Sequence, residues 1–312
     1  MKCRICQSTN SKVIRDTLRY DVKRDVLQCL DCDFIYLADA KRGEYYSGQE
    51  YRKHYGPDLT RKVSCQEIFG TYLPAQGEMI KEIESILRPD MKVLDIGCST
   101  GHFLTALKDL VGERVGLELG KDEVEFIRTN LDVKVYDQPI EEVKITEGPF
   151  DLITSFQVLE HIEEPQHFLE AIYRNLKPDG YLYLELPNLN DVLVSTYQVK
   201  GYIDFFYHEP HVSYFSEQTL KKLLHKVGFD GEVKTVQRYN ILNHINWMLT
   251  GKPMDNFTLG NKTPELVTKD TVDKKIKKEL NDFIQRTDKE YKELINKFKL
   301  GESLSFLGKK SK

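Results

Sequence analysis

VLDIGCSTGHFL, residues 93–104, decides the fold. Val93, Leu94 and Ile96 form a short apolar run, the mark of a buried strand, and Phe103 and Leu104 begin a helical pattern. Between them lies a glycine-rich turn. Gly97 and Gly101 let the backbone approach a ligand closely, and Cys98 and Ser99 join them as candidate contacts at the helix N-terminus. The spacing Asp95-x-Gly97-x-x-x-Gly101 is not the GxGxxG of a dinucleotide site. Asp95 repels a pyrophosphate and suits a cationic sulfonium or ammonium; the competing reading makes it a cap for the helix that follows.

Outward from this turn, helix and strand patterns alternate from about 76 to 238. Residues 115–118 form the next strand and end on Glu118, 21 residues beyond Gly97, where an acid accepts from both hydroxyls of an adenosine ribose. Further strands are predicted at 133–136, 150–156 and 181–186, with a turn at 177–180. Pro165 suits the first turn of a helix, and Ser216 and Glu217 open another that closes at Gly228. Such βαβ alternation predicts a mostly parallel sheet covered on both faces.

Composition bounds the rest. The chain has 312 residues, 40% hydrophobic and 11% aromatic, enough for a packed core and about two domains. Lys+Arg 45 against Asp+Glu 49 gives a net charge of −4, which argues against a broad nucleic-acid footprint. No apolar run approaches the ~20 residues of a membrane span, and MKCRICQSTN lacks the apolar core of a signal peptide. The expectation is a soluble, cytoplasmic chain.

Cys3/Cys6 and Cys29/Cys32 are two CxxC pairs separated by 22 residues. Two such turns complete a four-thiolate tetrahedral site, so a structural Zn2+ is predicted, with Lys2, Arg4 and Lys12 near enough to offset the charge. The predicted division is a zinc-binding module at 1–37, a tyrosine-rich linker with helical pieces at 38–75 (Tyr45, Tyr46, Tyr51, Tyr55, Tyr72), the α/β core at 76–238, and an insertion, long helix and final strand at 239–312. In the tail, Ile276, Leu280, Phe283, Thr287, Tyr291, Leu294 and Phe298 recur at steps of three or four. That face is expected to dock on the core, with a homodimer as the rival use. Leu304 and Phe306 alternate with serines as in a strand.

The segment 76–238 resembles the class I S-adenosylmethionine-dependent methyltransferases. VLDIGCSTG is similar to their first motif, residues 150–162 (FDLITSFQVLEHI) to the fourth-strand motif, and residues 176–188 (LKPDGYLYLELPN) to the fifth-strand hairpin. The resemblance implies a Rossmann-like seven-stranded sheet whose last strand returns antiparallel beside strand 5. It also implies S-adenosyl-L-methionine as cofactor, with Glu118 as the ribose acid, Asp137 and Gln138 at the adenine, and Phe156 and Gln157 on the methionine side. Asp137 as a plain turn residue and Gln157 as a solvated one are the rival readings.

A zinc module ahead of such a domain is similar to bacterial enzymes that methylate nucleotide-linked sugars. Residues 207–216 (YHEPHVSYFS) resemble their YHEH-x-SYFS motif, with an extra Pro210. That departure, and the 74 residues left after 238, turn the expectation from sugar C-methylation toward O-methylation of a nucleotide- or glycan-linked sugar. His161, His208 and His211 fall near one sheet edge. His211 is the predicted general base, oriented by Glu209, with His208 and then Tyr207 behind it. His161 as a mere loop holder is the rival. His208 and His211 have metal-pair spacing, but two ligands make no site and no catalytic metal is predicted. Asn243, His244, Trp247, Lys252 and Pro253 are expected to wall the acceptor pocket. The alternatives from other classes are an RNA methyltransferase gripping RNA with the zinc module, and a non-catalytic adaptor.

Overall fold

The computed structural model describes residues 1–39, 61, 63–254 and 257–311. Tyr45, Tyr46, Tyr51 and Tyr55 of the expected linker lie outside the described residues. Strands β1 (Ser11–Thr17), β2 (Lys23–Cys29) and β3 (Ile35–Leu37) belong to the N-terminal module. They are followed by β4 (Lys92–Ile96), β5 (Glu113–Leu117), β6 (Lys134–Tyr136), β7 (Phe150–Phe156), β8 (Leu176–Pro187), β9 (Ser213–Tyr214), β10 (Phe229–Val236) and β11 (Ser303–Lys310). The large sheet runs β10-β11-β8-β7-β4-β5-β6. Strands β4 to β8 pair in parallel, and β11 is antiparallel to both neighbours, β8 and β10. This is the seven-stranded sheet expected, and the last strand sits beside β8, the fifth parallel strand.

Two local expectations change. The turn at 177–180 is absorbed into β8 as an irregularity: Phe150 pairs with Leu176 and the register resumes at Leu152 with Tyr181. The long helix Lys274–Lys297 buries a different face from the one its apolar residues mark. Ile276, Leu280, Phe283, Leu294 and Phe298 are exposed, while Asn281, Ile284, Asp288 and Ile295 face the protein. The polar pair on the buried face terminates backbone. Asn281 accepts from the amides of Leu266 and Val267, and Asp288 accepts from that of Ile241, where the helix Ile241–Thr250 begins. Trp247 packs on Tyr202 and Phe205, and His244 meets the Tyr291 hydroxyl at 2.6 Å. Trp247 thus packs the insertion on the helix Lys200–Phe206, and His244 ties it to the long helix.

The N-terminal module is not self-contained. Its sheet runs β1-β2-β3-β9, and β9 comes from the 207–216 segment, pairing Ile35 with Tyr214 and Tyr36 with Ser213. Both knuckles fold alike. The amides of Gln7 and Asp33 donate back to the carbonyls of Cys3 and Cys29, and both donors take left-handed backbone angles. The four sulfurs lie within 4.8 Å of one another, with Cys3–Cys32 and Cys6–Cys29 each at 3.5 Å. A tetrahedral zinc with 2.3 Å bonds needs about 3.8 Å between sulfurs, so the donor set and spacing fit that ion. The Arg4 guanidinium donates to the carbonyls of Val212 and Leu37 and feels the charge of Cys3. Phe34 and Tyr36 share the main core with Phe215.

Purified protein should contain at least one zinc per chain by elemental analysis. Cys29→Ser should open residues 1–37 to limited proteolysis, because so small a module depends on its ion, and leave S-adenosylmethionine affinity unchanged. Metal-free protein with a protease-resistant N-terminus would contradict the assignment.

Candidate active site

The glycine turn leaves β4 at the edge where the parallel strands end. Gly97 and Gly101 have φ of 73° and 74°, and Ser99 is also left-handed at 50°. A Cβ on Gly97 would collide with the Val158 side chain, and one on Gly101 would stand 2.7 Å from Leu131. Glycine at 97 therefore lets the residues after β7 lie close over the turn. The amides of Gly97 and Cys98 both donate to the Leu117 carbonyl. The Cys98 thiol points into an apolar cluster with Leu104, Val124 and Ile127, so only its backbone faces the turn.

Glu118 clasps the turn. One carboxylate oxygen accepts from Ser99 N–H at 2.8 Å, and the other from Leu119 and Gly120 N–H, each at 2.8 Å. Asp95 is buried and accepts from the Thr154 hydroxyl at 2.8 Å. Burial pushes its carboxyl up to about 7, the Thr154 bond opposes the rise and the charge of Glu118 adds to it. Asp137 and Gln138 follow β6 and are exposed; Asp137 pairs with Arg128 at 3.2 Å. Phe156 packs between Phe103 and Tyr183. Gln157 is left-handed at φ 55°, held by its N–H to the Glu185 carbonyl at 2.7 Å, with its amide 3.4 Å from Ser303.

Glu185 and Arg238 were not among the residues singled out in the sequence. They form a buried, two-pronged ion pair behind Gln157, and Tyr183 donates to the same carboxylate. The available signal was an acid inside the apolar strand YLYLELP, which needs a buried cation.

The structure brings His161, His208 and His211 together. The rings of His208 and His211 lie 3.8 Å apart, and those of His161 and His211 4.9 Å. Glu209 does not orient His211; it pairs with Arg24 of β2 at 3.2 Å. The carboxylate facing His211 is Glu160, on the turn after β7, whose oxygen lies 3.9 Å from His211 Nε2 and 3.8 Å from His161 Nε2. Glu160 is buried with neither oxygen hydrogen-bonded. Its carboxyl is pushed up to about 8, by burial first and then by the charge of Glu185. Burial holds all three imidazoles below their ordinary range, His161 at about 4. Tyr207 packs on Phe206 and Tyr214, with the Arg15 guanidinium over its ring, in the cluster joining the N-terminal module to this loop.

Comparisons with known proteins agree with this architecture. The family model for the methyltransferase domain matches residues 73–232, more than half of the chain. A ubiquinone biosynthesis O-methyltransferase of Bordetella avium is 26% identical over 123 residues, 38% of this chain and 51% of that protein. The protein of that description from Pseudomonas entomophila is 30% identical over 106 residues, 32% of this chain and 45% of its own length. The chain thus spans about half the length of these curated relatives. Among solved structures, a SAM-dependent methyltransferase from Archaeoglobus fulgidus is 20% identical, covers 76% of this chain and 94% of its own, and has a TM-score of 0.49. Among the described residues, no helix is long and apolar enough to cross a membrane.

Glu118→Ala should weaken S-adenosylmethionine binding by about 1.5–3 kcal/mol, the range for hydrogen bonds to a charged group; unchanged affinity by calorimetry would remove Glu118 from the site. Asp95 sets a pH dependence. A cationic ligand prefers the ionised carboxylate, so affinity is full above the carboxyl's value of about 7 and falls below it. Between pH 8 and pH 6 the dissociation constant should rise about tenfold in the wild type and stay flat in Asp95→Asn.

Proposed function

The chain belongs to the methyltransferase domain family, and we propose that it is an S-adenosylmethionine-dependent enzyme that O-methylates a hydroxyl of a nucleotide- or glycan-linked sugar. The observation that carries the reading is the union of two halves at one sheet edge. The glycine turn with Asp95 and Glu118 suits the cofactor. The cluster of Glu160 and His161, on the turn after β7, with His211, just ahead of β9, suits a hydroxyl that must lose a proton. Open α/β sheets collect ligands at this edge.

S-adenosylmethionine, held at the glycine turn, would supply a sulfonium methyl to the acceptor oxygen, the electron pair of the broken S–CH3 bond staying on sulfur. The histidine cluster would take the proton that the hydroxyl loses. Most of the acceleration is positioning. Gln157 and Phe156 would line the methionine side, Glu118 would take the ribose, and Asp137 and Gln138 would flank the adenine. His211, with 15% of its side chain open, is a member an acceptor can reach; His208 stacks behind it. O-transfer is supported by the names of the relatives. A sugar acceptor is supported by the cysteine module and the 207–216 segment, which in this structure share one sheet.

Incubation with labelled S-adenosylmethionine and a panel of nucleotide sugars should give a singly methylated product. Carbon NMR should show the new methyl on oxygen; a methyl on a ring carbon would turn the assignment to C-methylation. His211→Ala should lower kcat by about 10²–10⁴-fold, the usual share of proton transfer, with cofactor affinity intact. A loss under about fivefold, far below that share, would move proton removal away from His211.

A further inference from the structure

We propose that Glu160, His161 and His211 form a second metal site, distinct from the four-cysteine site, for a divalent first-row transition ion. A ligand atom from each of the three lies within 4.8 Å of the others. One Glu160 carboxylate oxygen stands 3.8 Å from His161 Nε2 and 3.9 Å from His211 Nε2. An ion with bonds of about 2.0–2.2 Å draws such ligands to about 3–3.5 Å apart, a closure of roughly half an ångström.

Three observations favour an ion over a plain polar cluster. The Glu160 side chain is 2% exposed and neither oxygen has a hydrogen-bond partner. Protonating Glu160 does not rescue it, because 3.8–3.9 Å is beyond hydrogen-bond reach of either imidazole. His161 Nδ1 lies 2.8 Å from the Pro210 carbonyl. That bond requires Nδ1–H and so presents the Nε2 lone pair to Glu160, as metal-binding histidines are commonly set by a backbone carbonyl. Finally, His161 and His211 keep 12% and 15% of their side chains open. Three protein ligands with an open side describe a site that can take an outside oxygen, unlike the closed cysteine cluster.

Pro210 has a second consequence. It is the residue by which 207–216 departs from the YHEH-x-SYFS pattern, and its carbonyl is what sets His161. The departure and the site are therefore one feature. Two imidazoles and a carboxylate suit Mn2+, Fe2+, Co2+ or Zn2+ better than Mg2+ or Ca2+. Bound there, the ion would lower the pKa of a coordinated acceptor hydroxyl. His211 would then serve proton removal as a ligand instead of as a free base. This use of the ion rests on the methyl-transfer reading above; the binding does not.

The test is a manganese titration of the full chain, zinc-loaded at the cysteines, followed by electron paramagnetic resonance. Manganese is a poor partner for thiolates. Wild type should bind one Mn2+ per chain. Glu160→Gln and His211→Ala should each weaken binding by more than about tenfold, while Glu209→Gln, altered at the Arg24 pair, should bind as wild type. S-adenosylmethionine calorimetry on the same samples reports folding and the cofactor site separately. Wild type that binds neither manganese nor cobalt beyond the cysteine site overturns the proposal. So does Glu160→Gln that binds manganese as tightly as wild type. Manganese binding without methyl transfer to any sugar would leave the site standing and sink the proposed reaction.

Discussion

Strand β9 is two residues long, and the histidine loop of the protein hangs on it. Ser213 and Tyr214 complete the small sheet by pairing with β3, which follows directly on the second cysteine knuckle. Around this pairing, Leu37 N–H and the Arg4 guanidinium both donate to the Val212 carbonyl, and Arg19 donates to the carbonyls of Tyr207 and Phe205. Tyr214 closes the loop by bonding both the amide and the carbonyl of His208. A run of backbone bonds thus leads from the four thiolates to the histidines. A module of this size has too little core to hold its strands unaided. The order of the histidine loop therefore depends on the cysteine site, although its four thiolates take no part in the proposed chemistry.

The cofactor side is built on different physics. Its turn needs left-handed glycines and close packing, and its rigidity comes from the parallel strands below. Glu118 ties the end of β5 to the turn after β4 through three amides, so the two strand ends move as one piece. Acids at the glycine turn and imidazoles at the histidine loop fit the proposed reaction, which starts with a cation on one side and a proton to lose on the other.

The strand–turn–helix at 93–104 was legible because period-two and 3.6 patterns separate cleanly around its glycines. The final strand was legible because Leu304 and Phe306 alternate and the sheet required a partner beside β8. The long helix misled because hydrophobic periodicity assumes that the buried stripe is apolar. Here Asn281 and Asp288 are buried, since they satisfy the amides of Leu266, Val267 and Ile241 in the insertion, and the apolar stripe beside them faces solvent. Glu209 misled in another way. Sequence proximity put it next to His211, but a strand of the cysteine module supplies Arg24 as a stronger partner, and the carboxylate that meets the imidazole comes from a turn fifty residues earlier. β9 was missed because two residues carry no period.

The ends of β8, β10 and β11 show why the far edge of the sheet is polar where its centre is apolar. Glu185 and Arg238 pair within the core, and Arg238 N–H donates to Glu302 just before β11. The Glu302 carbonyl accepts from Asn188 N–H just after β8, and the Asn188 amide spans to the Gly301 carbonyl. Replacing one partner of such a buried pair costs about 3–5 kcal/mol because the other charge is stranded. A slip of β11 by one residue would strand several of these groups together, so the knot selects one register. That register sets Ser303 beside Gln157, whose left-handed backbone is itself pinned by the Glu185 carbonyl. The insertion between β10 and β11 can therefore vary in shape while the strand that follows it still reaches the candidate site in one position.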